Sequence, residues 1–292
     1  MLIRAGYDLH FETETSVPML ALLHVRPERQ KDLRTPEILG IDRNVPVQTY
    51  VDQFGNVCSR FTLPPGITKL TADFVIEDCG EPDPVAPEAR QVPVDQLPHE
   101  VMQFLFSSRY CEVSKLADEA WDIAKRTEPG WERAQAFVQA AHDRIEFDYM
   151  KASTERTARS AFDERFGVCR DFAHLAITLC RAANIPARYC TGYLGDIGIE
   201  PVDYPMDFSA WFEAYLGDRW YTFDARHNRP RIARIVMARG RDATDTALTT
   251  QFGPAKLTKF HVHTDEFADI DLSRPPKETA LPQSASPVCV VR

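Results

Sequence analysis

The first part of the chain alternates apolar and polar residues, which predicts β-strands. From residue 2 to about 13, apolar side chains such as Ile3 and Phe11 occupy every second position and charged ones such as Arg4 and Glu12 lie between them, as in a strand with one buried face. Further short runs, divided by turn sequences, are rich in β-branched and aromatic residues: LALLHV, VPVQTYV, VCSRFTL and LTADFVIED. We therefore predict an antiparallel β-sandwich-like domain over residues 1–85.

A proline-bearing stretch separates this region from a segment with helical periodicity. Five prolines fall between residues 81 and 98 with no packing period, and we place a linker at 86–98. The apolar spacing beyond it predicts helices near 99–107, 114–126 with Ser114 as N-cap, 129–145 with Thr127 and Pro129 at its start, and one beginning near Cys169. Strands follow at ARYCTGYL, DFSAWFEAYL and RWYTFDAR. Helices followed by antiparallel strands predict an α+β domain over 99–268, with an extended tail over 269–292.

The composition is that of a globular chain and argues against two classes of partner. The chain has 292 residues, of which 44% are hydrophobic, and a net charge of −9. Such a charge disfavours binding to nucleic acid or to an anionic membrane, because both are polyanions. No apolar run approaches the roughly 18 residues of a membrane helix, and the first residues, MLIRAGYDLHFETE, are charged where a signal peptide is apolar. We expect a cytoplasmic protein.

One segment departs from this acidic balance. Residues 226–241 contain six arginines. We interpret them as a solvated strand edge, with an anion-binding rim as the alternative.

The cysteines and histidines give no sign of a disulfide framework or a resident metal. The seven cysteines are odd in number and include no C-x-x-C pair. Cys180 lies on the apolar stripe of the helix that begins near Cys169, so we expect it in the core. His261 and His263 share a strand face and could hold a metal, but a surface strand explains them as well. We expect no cofactor and no metal.

Cys169 differs from the other cysteines because it lies at the first turn of its helix. Unpaired backbone N–H groups and the positive end of the helix dipole favour a thiolate at this position. Gly167 permits a close approach of the chain. A helix N-terminus can also hold an inert cysteine, so the residues alone leave both interpretations open.

Several blocks downstream resemble a known enzyme family. The chain contains a G-x-C-R-D-x-A-x-L block around Cys169, an IPAR-x-x-x-GY block at 185–193 and an AWFE-x-Y…W-x-x-FD block ending at Asp224. Together they resemble the bacterial transglutaminase-like superfamily of papain-like thiol enzymes, and the β-rich region before them resembles the domain that precedes this core in one branch. The resemblance implies a papain/transglutaminase-like core of helices and antiparallel sheet, with Cys169 as the nucleophile and Asp224 as the carboxylate that orients a histidine.

The expected histidine is absent from its position. Relatives commonly read H-A-W where this chain reads Ser209-Ala210-Trp211, and a serine hydroxyl is too weak a base to hold a thiol proton near pH 7. A two-residue turn at 217–218 would place Ser209 and Asp224 on one face as diagonal neighbours.

Other histidines could replace the missing base. The same hairpin register places His227 opposite Phe208 on the core side, unless the strand ends at Arg226 and rotates it over. The helical spacing turns His174 away from the thiol, and we expect it on the surface.

These features support a functional hypothesis with an alternative. The first is a transglutaminase-like cysteine peptidase, amidase or acyl transferase that acts on peptide or protein amides through a Cys169 thioester. The other is a degenerate binding module for a peptide or partner, in which Ser209 stands in place of the base. A separate possibility is that the serine is an engineered or sporadic substitution in an enzyme. Trp211, Glu213 and Tyr193 could line a cleft or simply pack. A purely structural role is the remaining possibility, and the oligomeric state is open.

Overall fold

The alternating residues at the start of the chain form a long strand inside an antiparallel sheet. This computed structural model describes residues 1–200 and 206–267, together with the backbone of residues 290–291. The strands are β1 (Leu2–Thr13), β2 (Val17–Ala21), β3 (Gly40–Ile41), β4 (Gln48–Val51), β5 (Val57–Leu63), β6 (Gly66–Glu77), β7 (Glu146–Phe147), β8 (Phe166–Gly167), β9 (Ala187–Tyr193), β10 (Ser209–Leu216), β11 (Arg219–Phe223), β12 (Ile235–Gly240), β13 (Thr249–Gln251), β14 (Lys256–Glu266) and β15 (Val290–Val291). The α-helices are α1 (Ala117–Ala124), α2 (Trp131–Arg144), α3 (Ala158–Glu164) and α4 (Cys169–Ala182). Short 3-10 helices lie at Pro27–Asp32, Val94–Gln96, Met102–Leu105, Val113–Leu116 and Tyr149–Lys151.

Two sheets form the N-terminal β region. One has the strand order β14-β1-β6-β3 and the other β15-β13-β2-β5-β4. The alternate apolar residues of β1 are buried, as the period-2 pattern predicts: Ile3, Ala5, Tyr7, Leu9 and Phe11.

Two strands that follow the helical region, β13 and β14, pair with the N-terminal sheets. Residues 256–266, which the sequence places in the second part of the chain, pair along β1, with Val262 opposite Tyr7. β13 likewise pairs with β2. Most of the predicted tail over 269–292 lies outside the described residues.

The second region combines helices with an antiparallel sheet, which confirms the α+β class. Its sheet has the order β11-β10-β9-β12, and α4 packs against β9 and β10. Every residue of α4 and of β10 is buried, because the helix lies between this sheet and α1, α2 and α3. The N-terminus of α4 is therefore held rigidly against the start of β10.

The helices before α4 differ in detail from the prediction. The segment near 99–107 contains only a 3-10 helix, and α1 starts after another 3-10 helix without a capping bond from Ser114. Helix α2 begins after Gly130, whose φ of 132° is a conformation that glycine adopts readily and other residues rarely do. The sequence pattern missed α3, which Thr157 caps by accepting a hydrogen bond from the N–H of Ser160.

A buried ionic network joins the β region to the core. Arg239 on β12 binds both oxygens of Glu213 on β10 at 3.0 to 3.2 Å and also pairs with Glu28. The carbonyl oxygen of Arg239 accepts from Asn56 Nδ2 at 2.8 Å, and Arg26 donates to the side-chain oxygen of the same Asn56. Asn56 ends the FGN turn, so this turn attaches the N-terminal region to the sheet that carries the candidate site.

Candidate active site

Cys169 is the first residue of α4, and its motif has a structural cause. The N–H of Val168, just before the helix, donates to the carboxylate of Asp171 at 2.9 Å. Asp171 thereby folds back over Gly167, where a Cβ atom would lie 2.6 Å from its oxygen. The glycine and the aspartate of the G-x-C-R-D block thus fix the turn that presents the cysteine.

The Cys169 thiol lies against the start of β10. The backbone N–H of Ala210 lies close enough to its sulfur to act on the thiol, so the thiol is near Ser209. The residue is only 3% exposed. Burial raises the pKa of Cys169 to about 12, against the opposing charge of Arg226, while the carboxylates of Asp207 and Asp224 raise it further. Desolvation by burial therefore outweighs the thiolate preference expected of a helix N-terminus.

Ser209 occupies the position where the family resemblance requires a histidine. It is the first residue of β10 and pairs with Gly192 on β9. Its hydroxyl oxygen is buried, and no hydrogen-bond partner for it exists among the residues that the structure describes. A Cβ atom placed on Gly192 would lie 2.0 Å from the carbonyl oxygen of Ile235, so the neighbouring strand β12 approaches β9 closely at this point.

The hairpin register agrees with the prediction up to the end of β11. Leu216 pairs with Arg219 and Phe212 with Phe223, across a turn in which Gly217 has a φ of 61°. β11 then ends, and Asp224 begins a turn of its own.

Asp224 orients a histidine, but from its own turn rather than from β10. One carboxylate oxygen accepts from the backbone N–H of His227 at 3.0 Å, and the other lies 2.9 Å from both Nδ1 of His227 and Nη2 of Arg234. Burial opposes ionisation, yet Arg234 and His227 hold the pKa of Asp224 well below its usual range. The core-side placement of His227 opposite Phe208 is therefore wrong, because the strand ends and the turn rotates the ring onto Asp224.

The remaining predicted histidines lie elsewhere. His174 is fully buried, not on the surface, and its ring stacks on Tyr110 at 5.0 Å while Nε2 accepts from the N–H of Ala243. Burial lowers the pKa of His174 to about 3, so it is neutral. His261 and His263 lie on β14, and no metal-binding cluster is present in the described part of the chain.

The arginine-rich segment is not a solvated edge. Arg231 and Arg234 are buried, and Arg234 pairs with Asp83 and Asp224. These arginines bind internal acceptors that are distant in the sequence, such as Asp83 and the carbonyl oxygen of Gly195, and composition cannot predict such contacts.

The candidate cleft residues on β9 and β10 mainly pack. Glu213 binds Arg188 and Arg239, and Trp211 is buried with the Arg234 guanidinium 4.9 Å from its ring. Tyr193 is fully buried. A cavity of about 300 Å³ instead opens beside Asp224, between residues 83–85 and α2. Its lining includes Asp83, Val85, Trp131, Val138, Phe223 and Pro230.

Sequence reasoning missed three contributors to the site. Arg234 secures the Asp224 carboxylate. Tyr149 donates to Asp207 at 3.3 Å, and Arg226 lies with its guanidinium carbon 3.8 Å from the centre of the Phe147 ring. The available signal was the arginine-rich segment, which contains Arg226 and Arg234.

Comparisons with known proteins point to the same superfamily. A model of the transglutaminase-like superfamily matches residues 117–225, which include Cys169, Ser209 and Asp224. An uncharacterized protein of Mycobacterium leprae is 27% identical over 209 residues, covering 68% of this chain and 73% of its own. A crystal structure from Cytophaga hutchinsonii, described as "a Putative Cysteine Protease", superimposes with a TM-score of 0.75 at 29% identity, covering 94% of this chain and 92% of its own.

No helix in the described part of the chain is both long and apolar enough to cross a membrane. The match at residues 117–225 and the N-terminal sheets before it agree with the architecture that the sequence blocks implied. The chain therefore contains a transglutaminase-like superfamily core, preceded by a β-rich N-terminal region.

Proposed function

We propose that this protein is a cysteine-dependent amide hydrolase or acyl transferase in which Cys169 forms an acyl-thioester. The observation that carries the proposal is the position of Cys169, at the N-terminus of α4 and against the N–H of Ala210, next to the turn that holds the Asp224–His227 pair. The substrate class is a peptide or protein amide.

The chemistry begins with attack of the Cys169 sulfur on the amide carbonyl carbon. A C–S bond forms, and the oxygen of the tetrahedral intermediate faces the free backbone N–H groups of the first turn of α4. The C–N bond then breaks, and the amine leaves with a proton. Water or a second amine attacks the thioester and releases Cys169.

His227 is the group best suited to move these protons. Its Nδ1 lies 2.9 Å from the carboxylate of Asp224, which fixes the ring and supports an imidazolium. Its Nε2 has no hydrogen-bond partner among the described residues, and the side chain is 19% exposed whereas that of Asp224 is 2% exposed. Ser209 cannot perform this role because its hydroxyl is not a base near neutral pH.

A second candidate function is a degenerate module that binds a peptide without turnover. Two observations favour it: Ser209 stands beside Cys169 where relatives have histidine, and burial raises the pKa of the thiol to about 12.

A peptide library incubated with a primary amine separates the two candidates. Mass spectrometry reports cleavage and amine incorporation, which also distinguishes a hydrolase from a transferase. Activity that is lost in Cys169→Ala and falls at least about 100-fold in His227→Ala supports the enzyme. An inert wild type that gains turnover with Ser209→His supports the binding module, whereas an active wild type that Ser209→His impairs contradicts it.

A further inference from the structure

Arg226 packs against the strand pair that leads into α4. Its guanidinium carbon lies 3.8 Å from the centre of the Phe147 ring. Phe147 pairs with Gly167 across β7 and β8, and Gly167 lies two residues before Cys169. The guanidinium therefore packs on the strand pair that leads into α4, the helix that begins with Cys169.

The charge of Arg226 also reaches the sulfur. Burial raises the pKa of Cys169, and of the charged groups that act on the thiol Arg226 has the largest effect in lowering that pKa. This electrostatic effect agrees with the packing, because a distant or solvent-screened charge would have little effect on a buried thiol. Arg226 thus lies within electrostatic range of the Cys169 sulfur.

Arg226 differs from its neighbours in the same segment. Arg234 binds Asp83 and Asp224, Arg239 binds Glu213, and Arg241 binds Asp245. For the guanidinium of Arg226, no ion pair or hydrogen bond to any other described residue is present. Arg226 is half-buried, yet none of the residues that the structure describes supplies its N–H groups with an acceptor.

The two neighbouring carboxylates already have partners of their own. Asp224 is bound by His227 and Arg234, and Asp207 accepts from the hydroxyl of Tyr149. A planar guanidinium presents parallel N–H donors that match the two oxygens of a carboxylate. The missing acceptor therefore has the chemistry of an incoming anion.

We propose that Arg226 binds a carboxylate of the substrate, so that the site selects amides carrying a negative group close to the scissile bond. This inference rests on the proposed function, because the substrate is the amide that Cys169 attacks. The carboxylate comes either from an acidic side chain or from a free chain terminus, and both would present the same two oxygens to Arg226.

Two alkylating reagents of nearly equal size test the anion site without any substrate. Iodoacetate carries a carboxylate and iodoacetamide a neutral amide; with both, the thiolate attacks the methylene carbon, a C–S bond forms and iodide leaves. Both rates at Cys169 depend on the same fraction of thiolate, so this fraction cancels in their ratio. Exposed Cys79 provides the reference ratio in the same molecule. Peptide mass spectrometry measures both sites.

We expect the iodoacetate-to-iodoacetamide ratio at Cys169 to exceed that at Cys79 by about tenfold, as a charge-assisted contact predicts. Arg226→Gln should abolish this preference, and Arg226→Lys should retain part of it. Arg229→Gln is the matched control, since Arg229 is exposed on the same loop and should leave the ratio unchanged. A ratio at Cys169 equal to that at Cys79, or one that Arg226→Gln does not change, overturns the inference.

The possible failures are distinguishable. If both reagents label Cys169 with an ordinary ratio, the carboxylate site fails while the proposed function stands. If neither reagent labels Cys169 in native protein while Cys79 is labelled, both fail, because the thiol is then inaccessible.

Protection of Cys169 from iodoacetamide identifies the source of the carboxylate. N-acetylglutamine carries a terminal carboxylate, its isomer N-acetylglutamate α-amide carries a side-chain carboxylate, and the uncharged N-acetylglutamine amide is the reference. Stronger protection by either acid supports the inference and names the source. Protection by neither acid beyond that of the neutral amide overturns it.

Discussion

Ser209→His should convert the buried thiol of Cys169 into an activated one. With a pKa of about 12, only about one thiol in 10⁵ is ionised at pH 7. The N–H of Ala210 lies close enough to the sulfur to act on the thiol, so an imidazole on the adjacent residue would lie within reach of it. Neighbouring imidazolium groups lower cysteine pKa values by several units in papain-like sites.

The size of the effect follows from two opposing factors. A fall in pKa from about 12 to about 7 would raise the thiolate fraction at pH 7 by about 10⁵. The less basic thiolate loses about 10² of intrinsic nucleophilicity, since reactivity follows roughly the square root of basicity. The net expectation is a gain of about 10² to 10³ in the rate of alkylation.

The assay is the pH dependence of iodoacetamide labelling at Cys169, read by peptide mass spectrometry with buried Cys180 as the unreactive reference. In the wild type, the rate should rise about tenfold per pH unit from pH 6 to 9, because the group titrates far above this range. In Ser209→His, the rate should reach a plateau above about pH 7. Ser209→Asn is the matched control, similar in shape but unable to hold the proton.

One result would refute this reasoning. A folded Ser209→His protein, with unchanged circular dichroism, whose labelling rate stays within threefold of the wild type and shows no plateau, would mean that the two side chains do not meet. The geometry at the start of β10 would then be misassigned.

Three further outcomes are expected. His174→Gln should flatten the pH dependence of the free energy of unfolding between about pH 6.5 and pH 3, measured by urea denaturation at each pH. Burial lowers the pKa of His174 to about 3, so the unfolded chain binds a proton at this residue before the folded chain does. The wild type therefore loses up to about 5 kcal/mol of stability as the pH falls through that window. Arg239→Met should destabilise the fold by about 3 kcal/mol, because buried Glu213 loses a bidentate partner. Arg241→Met, at a more exposed ion pair, should cost under about 1 kcal/mol. Equal losses in the two variants would contradict the burial of the Arg239–Glu213 pair. Gly192→Ala should destabilise the fold by about 1 to 3 kcal/mol in thermal denaturation, since the new Cβ meets a backbone carbonyl oxygen at 2.0 Å, and an unchanged melting temperature would show that β12 does not press on it.

Local patterns predicted the parts of the site that depend on local structure. The helix start at Cys169 follows from its apolar stripe, and the register of the β10–β11 hairpin follows from period 2 and a glycine turn. The prediction failed where the strand ended, because no local signal stops β11 at Phe223, and the position of His227 depends on that end.

Long-range packing accounts for the other differences. β14 and β1 pair although they lie near opposite ends of the chain, and the partners of Arg234 are Asp83, which precedes the linker, and Asp224. The pKa of Cys169 follows the same rule, because a helix N-terminus favours a thiolate locally while the sheet packed over it removes water.

The most direct test of the account is acylation of Cys169 by an activated ester. Native protein is mixed with p-nitrophenyl acetate, quenched in acid to preserve thioesters, and analysed by peptide mass spectrometry. The account predicts an acetyl group on Cys169 that appears and then decays as water resolves the thioester, with none on buried Cys180. An unmodified Cys169 in a sample where exposed Cys79 is acetylated would contradict the assignment of Cys169 as a nucleophile.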